Sequence, residues 1–379
     1  MPSEKKTSVK EIALVFLKMG VFAFGGPAAH IAMMDEQIVQ KRKWMTREHF
    51  LDLIGATNLI PGPNSTEMTM HCGHERGGVL GLFVAGICFI FPAVIITCFL
   101  AFLYVEFGKV PDVAPFIAGI KPAVLAVIAG AIFKLSKKAL KNVELGILGA
   151  LVVIVSVLPN TNEVLVLLTA GVAGAFYFYF KNHSSDAKIR IAPLLLFQAP
   201  QLITTKFIAG TIFWKFLKVG LILYGSGYVL FAYLDAELVE AGLLSRKELM
   251  DAIAVGQFTP GPVLTTATFI GYQLGGLWGA AAATVGIFLP SFLFVLLLNP
   301  LIPKMRKSKF LSGFLDSVNI AAVGIMIAVL YGMGAESIID WRTLVIATLA
   351  LFFTFGPKKL GAMWIILGGS VTGYLLYLI

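Results

Sequence analysis

Charge is what this chain has least of. Only 13% of its 379 residues are Asp, Glu, Lys or Arg, whereas 58% are hydrophobic. A soluble domain carries roughly a quarter charged residues, so an ordinary water-soluble fold is excluded. With a mean hydropathy of +0.86 and several apolar runs longer than the ~20 residues that span a bilayer, the chain reads as an all-α polytopic membrane protein. Cysteine is nearly as scarce. Cys72, Cys88 and Cys98 all lie in or beside apolar segments of the first half, without metal-ligand spacing, and read as small buried hydrophobes. There is no GxxxxGK[ST] phosphate loop, which argues against an ATP-driven pump. His71, His74 and Glu75 lack the H-E-x-x-H spacing of a zinc site and are expected in a loop. No nucleophile, base and orienting group converge in the sequence, so no enzyme, cofactor or metal is assigned. A small-residue cleavage site is missing from MPSEKKTSVKE at the start, and the chain is expected to be unprocessed.

The net charge of +9 does not point to nucleic acid, because most basic residues sit in short loops between apolar runs. That is the positive-inside pattern, which reports orientation.

What the sequence does have is a pair of breaks. Leu59–Glu67 reads LIPGPNSTE and Phe258–Thr266 reads FTPGPVLTT, each with Pro-Gly-Pro inside an apolar segment. Proline gives no backbone N–H and pushes the residue before it toward an extended conformation, so a helix stops there. Asn64, Ser65 and Thr66 can cap a new helix after Pro63, and Thr265 and Thr266 can do so after Pro262. At membrane depth a broken helix is tolerated only inside protein or beside a wet cavity. Such breaks in corresponding places of two halves point to a transporter's binding site.

The halves do correspond. Phe16–Gly20 (FLKMG) recurs as Phe216–Gly220 (FLKVG), 200 residues on, and Asp35 recurs as Asp235. Pro61, Gly62 and Pro63 recur as Pro260, Gly261 and Pro262 at 199. Gly73, Gly77, Gly81, Pro92 and Pro159 recur as Gly271, Gly275, Gly279, Pro290 and Pro357 at 198. The expected organisation is a first repeat over 1–180, a cytoplasmic linker over 181–207 and a second repeat over 208–379. Each repeat is expected to hold about five spans, the first running from Ile12 to Met34 across a Gly-Gly-Pro break, plus one re-entrant hairpin at Pro-Gly-Pro. An odd span count inverts the second copy. Lys/Arg bias favours that arrangement with both termini outside, although the external Lys5, Lys6 and Lys10 speak against it.

A helix restarting after Pro63 leaves its first N–H groups unpaired and its positive dipole end in the gap, which suits an anion. In an inverted repeat both restarts would aim at one cavity. The hydroxyls of Ser65, Thr66, Thr265, Thr266 and Thr268 and the Asn64 amide could receive a tetrahedral oxyanion there. The alternative is that they bond back to their own helices. Lys18 and Lys218 are repeat-equivalent cations within apolar segments and could balance a dianion, or could snorkel to the headgroups. Lys121 precedes Pro122 and matches Asn319, an asymmetric pair that ranks lower. Glu67 faces Thr266 in the other copy and is a candidate proton carrier, with helix capping as its other reading. His30 could line the same cavity.

Together FGGPAAHI at Phe24–Ile31, LIPGPNSTE, YGSGY at Tyr224–Tyr228 and QFTPGP at Gln257–Pro262 resemble the chromate ion transporter family in its long two-domain form, over nearly the whole chain. The resemblance implies a secondary transporter of the bacterial inner membrane that exports chromate at the expense of the proton motive force and confers chromate resistance. Sulfate is the look-alike substrate, and an uncoupled anion channel is the alternative of another class. Gly25 and Gly26 join the implied site through FGGP, although the second copy reads Gly225-Ser226-Gly227 where the first reads Gly25-Gly26-Pro27. Nothing in the sequence excludes a homodimer.

Overall fold

The structure is a computed structural model that describes residues 9–23, 27–57, 60–108, 114–158, 161, 163–181, 208–223, 229–298, 308–357 and 360–377. Gly25, Gly26, the Tyr224–Tyr228 stretch and the linker from 182 to 207 lie outside the described residues. Every regular element among those described is helical. The first half holds α1 (Val9–Phe22), α2 (Pro27–Met34, continued by a π-helical Asp35–Lys41), α3 (Arg47–Thr57), α4 (Asn64–Phe107), α5 (Ala114–Ala139), α6 (Val143–Val157) and α7 (Glu163–Lys181). The second half repeats that order with α8 (Ile208–Ile222), α9 (Leu230–Leu234, continued by a π-helical Asp235–Val239), α10 (Arg246–Phe258), α11 (Thr266–Leu298), α12 (Lys309–Ser337), α13 (Trp341–Phe355) and α14 (Ala362–Tyr377). Four helices are long and apolar enough to cross a bilayer by length and composition: α4, α5, α11 with the turn before it, and α12. The chain is therefore an all-α polytopic membrane protein.

The break at Gly77–Gly78 divides α4 into two arms. Gly77 leaves the helical region (φ −134°, ψ 16°) and Gly78 takes φ 60°, ψ −151°, a conformation open only to a residue without Cβ. The chain then doubles back, because a side chain on Gly73 would strike the Gly81 carbonyl and the Ala85 methyl. Arm 64–76 thus lies against arm 79–107, which at 1.5 Å per residue is about 43 Å long and exceeds the hydrocarbon core. The same device recurs at Gly275 (φ −153°, ψ 24°) and Gly276 (φ 60°, ψ −149°), where Gly271 abuts Gly279 and Ala283. His71 and His74, expected in a loop, lie in arm 64–76, with His71 buried. The polar run does not end the helix; the two glycines do. No atom lies within 4 Å of the space a Gly78 methyl would fill, so Gly78→Ala tests backbone strain alone. It should cost about 1–3 kcal/mol, read as a lower melting temperature of the purified protein in detergent. Gly334→Ala, equally open but inside helical α12, should leave the melting temperature unchanged or raise it.

The first apolar segment differs from the expected single span. Its two helices fold back on each other, so that Lys10 near the start of α1 and Arg42 just past the π-helical segment line one groove. In the second half Tyr233 donates to the Ile222 carbonyl at 3.1 Å while Lys218 pairs with Glu237 farther along, which is the same antiparallel hairpin. α1 and α2 are thus antiparallel, and Lys10 shares a side with the basic Lys41–Arg47 loop. That removes Lys10 from the charges that opposed the positive-inside count.

Helices from both halves share one core. α5 packs on α13 and α14, and α12 packs on α6 and α7, so each half's long helix is held by the other half's last pair. Small residues allow the approach: Gly119 meets Gly369 and Gly373, and Gly174 meets Ser317. Phe116 stacks on Tyr374 with centroids 4.2 Å apart. α4 and α11 pack against each other at the centre.

Candidate functional site at the crossed hairpins

Each Pro-Gly-Pro forms the tip of a hairpin, between α3 and α4 in one half and between α10 and α11 in the other. Pro63 is extended (φ −80°, ψ 98°) and α4 starts at Asn64. Pro262 is likewise extended (φ −68°, ψ 131°), followed by a 3-10 turn over Val263–Thr265 before α11. Both tips and the first turns after them are buried, Asn64 only partly.

The tips are tied reciprocally across the halves. Gly62 donates its N–H to the Leu223 carbonyl at 2.6 Å, and Gly261 donates to the Ala23 carbonyl at 2.9 Å. Ala23 and Leu223 are repeat-equivalent residues that follow α1 and α8. Each tip therefore satisfies a carbonyl left over where the other half's first helix stops. The side chains above the tips correspond too. A Cβ on Gly261 would sit 2.8 Å from Ala93 Cβ, and one on Gly62 would run into Ser291 Oγ and Glu67 Oε1. Ala93 and Ser291 each follow the repeated proline, Pro92 or Pro290.

The hydroxyls divide between two fates. Ser65 reaches His30 Nδ1 at 3.1 Å while His30 Nε2 lies 3.1 Å from the Ala23 carbonyl. That carbonyl can only accept, so a neutral His30 carries its proton on Nε2 and accepts a hydrogen bond from the Ser65 hydroxyl at Nδ1. His30 and Gly261 thus converge on one carbonyl. The threonines of the second copy turn back to their own chain: Thr265 donates to Pro262 at 2.9 Å and Thr266 to Val263 at 2.8 Å. Thr97 donates to Thr265 at 3.3 Å, and Thr268 pairs with Thr284 at 2.7 Å. By contrast, Thr66 Oγ1, both Glu67 carboxyl oxygens and Ser291 Oγ are buried without a hydrogen-bond partner among the described residues. Glu67 is fully buried, with the Ser291 hydroxyl at its side.

The two lysines do not join this group. Lys18 lies about 200° around α1 from Gly20, the residue whose carbonyl abuts the Gly261 tip. It is exposed on the outer face of α1. Lys218 is exposed on α8 and paired with Glu237. Lys121 belongs to another buried cluster, where Tyr104 donates to Asp251 at 2.6 Å and Lys121 Nζ stands 4.0 Å from the other carboxyl oxygen. This cluster joins α4, α5 and α10. Arg246 holds Asp235 through two bonds of 2.9 Å and Glu336 through one of 2.6 Å, pinning α10 to the π-helical segment and to α12. Sequence reasoning missed Ser291; the signal was the hydroxyl beside a repeated proline where the other copy has alanine. Among the described residues no three His, Cys, Asp or Glu side chains are placed to hold a metal.

The family profile described as Chromate transporter matches residues 10–175 and 210–374. A chromate transport protein of Cupriavidus metallidurans is 29% identical to this chain, covering 98% of it and 94% of the relative. A probable chromate transport protein of Synechococcus elongatus is 28% identical over 98% of this chain and 96% of its own length. An uncharacterized transporter of Bacillus subtilis, 26% identical, covers 48% of this chain with 96% of its own length, a protein the size of one half. No solved structure matches the chain.

Proposed function

Because the chain belongs to the chromate transporter family, we propose that it is a secondary active transporter that exports chromate across the bacterial inner membrane and so confers chromate resistance. The observation that carries the mechanism is the Glu67 carboxyl, buried with neither oxygen paired among the described residues, beside Ser291 at the first Pro-Gly-Pro tip. An isolated carboxylate in an apolar interior is among the costliest groups a protein can bury. Helix N-termini beginning at Asn64 and after Pro262 supply N–H groups and a positive dipole end for an anion. Thr66 Oγ1 and Ser291 Oγ are donors already stripped of other partners, and Ser65, Thr265 and Thr266 become available if their present bonds open. An ionised Glu67 repels a dianion and a protonated one can donate to it. Proton and anion therefore enter the site together, and one net negative charge crosses per cycle. A potential negative inside drives that charge outward at about 2.3 kcal/mol per 100 mV.

The arrangement is read as an inverted repeat. Tyr104, near the far end of arm 79–107, meets Asp251 of α10, while Glu75, beside the Gly77–Gly78 turn, pairs with His49 of α3 at 3.3 Å. The first hairpin thus opens on one side and the second on the other, which lets opposite-facing halves close around one midplane site in turn.

Labelled chromate in everted vesicles tests this. Energised vesicles, positive inside, should accumulate chromate and lose it on addition of an uncoupler. With the potential clamped at zero, an imposed pH difference should move chromate from the acid to the alkaline side. Indifference to that pH difference would leave an uncoupled anion channel. Equal transport of labelled sulfate would make chromate one passenger of a general oxyanion carrier.

A further inference from the structure

On the outer side of α1 a groove of about 510 Å³ opens against α2 and its π-helical extension. The size is within the ~300–1,000 Å³ of small-molecule sites. Its walls are mostly apolar, with Leu14, Phe22 and Met33 among them, and Lys10, Lys18 and Arg42 bring three cations against the single acid Glu11. Lys18 has no hydrogen-bond or ion-pair partner among the described residues. Arg42 is held over the groove by Gln37, donating to its side-chain oxygen at 2.8 Å and its carbonyl at 3.1 Å, and keeps further N–H groups free to donate.

The repeat supplies an internal control. On α8 and α9 the void bounded by Lys215, Val219 and Glu237, the counterparts of the groove residues Val15, Met19 and Gln37, has no room for even a water-sized molecule. Three of the substitutions between the halves bring contacts that close the second cleft. Where the first half has Val15, Met33 and Gln37, the second has Lys215, Tyr233 and Glu237. Glu237 draws Lys218 and Lys215 across the cleft, with Lys215 also 2.8 Å from the Glu237 carbonyl. Tyr233 bridges to the Ile222 carbonyl. Among the described residues nothing closes the cleft in the first half, and Lys18 is left without the carboxylate that Lys218 has.

We propose that this groove is a binding site for one anionic phospholipid, with the headgroup phosphate on Lys18 and Arg42 and an acyl chain along Leu14 and Phe22. The mostly apolar wall disfavours a bare inorganic anion, which would lose its hydration for few donors. The excess of cations favours an anionic over a zwitterionic headgroup. Leu14 and Phe22 are 57% and 61% exposed, on a helix face that looks toward lipid in a bilayer. The site is separate from the crossed hairpins and does not depend on the transported ion.

Native mass spectrometry of the full-length protein, titrated with phosphatidylglycerol or phosphatidylcholine, tests the proposal. Phosphatidylglycerol should be retained at least about fivefold better, and Lys18→Gln should remove about fivefold of its affinity, the share of one cation near the surface. The triple variant Val15→Lys, Met33→Tyr, Gln37→Glu transplants the closing contacts of the second half and should abolish retention. Its melting temperature in lipid-free detergent reports whether it has folded, and Lys18→Gln stands alone if it has not. Equal retention of both lipids, or a folded triple variant that binds like the parent, would overturn the site. Displacement of phosphatidylglycerol by millimolar inorganic phosphate would reassign it to a free anion. Loss of a dimer in the triple variant, without change in lipid binding, would make the groove a subunit contact instead.

Discussion

Replacing Glu67 with glutamine is expected to abolish the response of chromate flux to an imposed pH difference while leaving the protein folded. The glutamine amide keeps the shape of the carboxyl beside Ser291 and can donate to an oxyanion, so the tip should stay intact. What it cannot do is take up and release a proton. Flux driven by a pH difference at zero potential should fall on the order of tenfold or more, equivalent to at least about 1.4 kcal/mol of lost driving or barrier lowering. Flux driven by potential alone should persist. Ser291→Ala separates proton carriage from site geometry. It removes the neighbouring hydroxyl and keeps the titrating group, so it should weaken chromate affinity without erasing the pH response. If Glu67→Gln still moves chromate down a proton gradient at the parent rate, Glu67 is a buried structural acid and the proton travels elsewhere. The Tyr104–Asp251–Lys121 cluster would then be the next place to test.

Local chemistry was legible in the sequence, and meeting points were not. Two prolines around a glycine forecast the break, because proline geometry acts within a few residues. The expected side-chain caps did not follow, since Pro63 and Pro262 themselves take the N-cap positions with no side-chain cap bond. The element order of the second half followed from the offset of matching motifs, since equal loop lengths imply equal folds. Reading Ile12–Met34 as one span failed because hydropathy cannot tell one long apolar helix from two shorter ones laid side by side. His71 and His74 were assigned to a loop on polarity, yet only Gly77 and Gly78 have the backbone freedom to turn the chain. The crossed Gly62–Leu223 and Gly261–Ala23 bonds join residues far apart in sequence, and nothing in either segment announces its partner. Lys18 and Lys218 show the converse. Their equivalence was plain, but the direction of a side chain depends on helix phase, and α1 and α8 turn other residues inward.

Gly62→Ala is expected to damage both the fold and transport. Gly62 sits at φ 140°, where an L-residue is strained by about 1–3 kcal/mol before any neighbour is considered. The added methyl would also be driven into Glu67 Oε1 and Ser291 Oγ, atoms that have no room to retreat because both side chains are fully buried. Relief would require the tip to shift and break the 2.6 Å bond from Gly62 to Leu223, which strands a buried carbonyl at a further cost of about 1–3 kcal/mol. The variant should therefore insert poorly or melt well below the parent in detergent, and the fraction that folds should show no chromate transport. Gly261→Ala makes the comparison informative. Its φ of 87° is also a glycine conformation, but its methyl meets only the Ala93 methyl at 2.8 Å and two backbone oxygens at 3.5 Å or more. Strain is shared by the two variants, whereas the clash with a carboxyl and a hydroxyl belongs to Gly62 alone. If the tips serve only to turn the chain, the two should lose stability and transport in parallel. If the site lies under the first tip, Gly62→Ala should lose transport out of proportion to its loss of stability, while Gly261→Ala should keep activity in step with the amount folded.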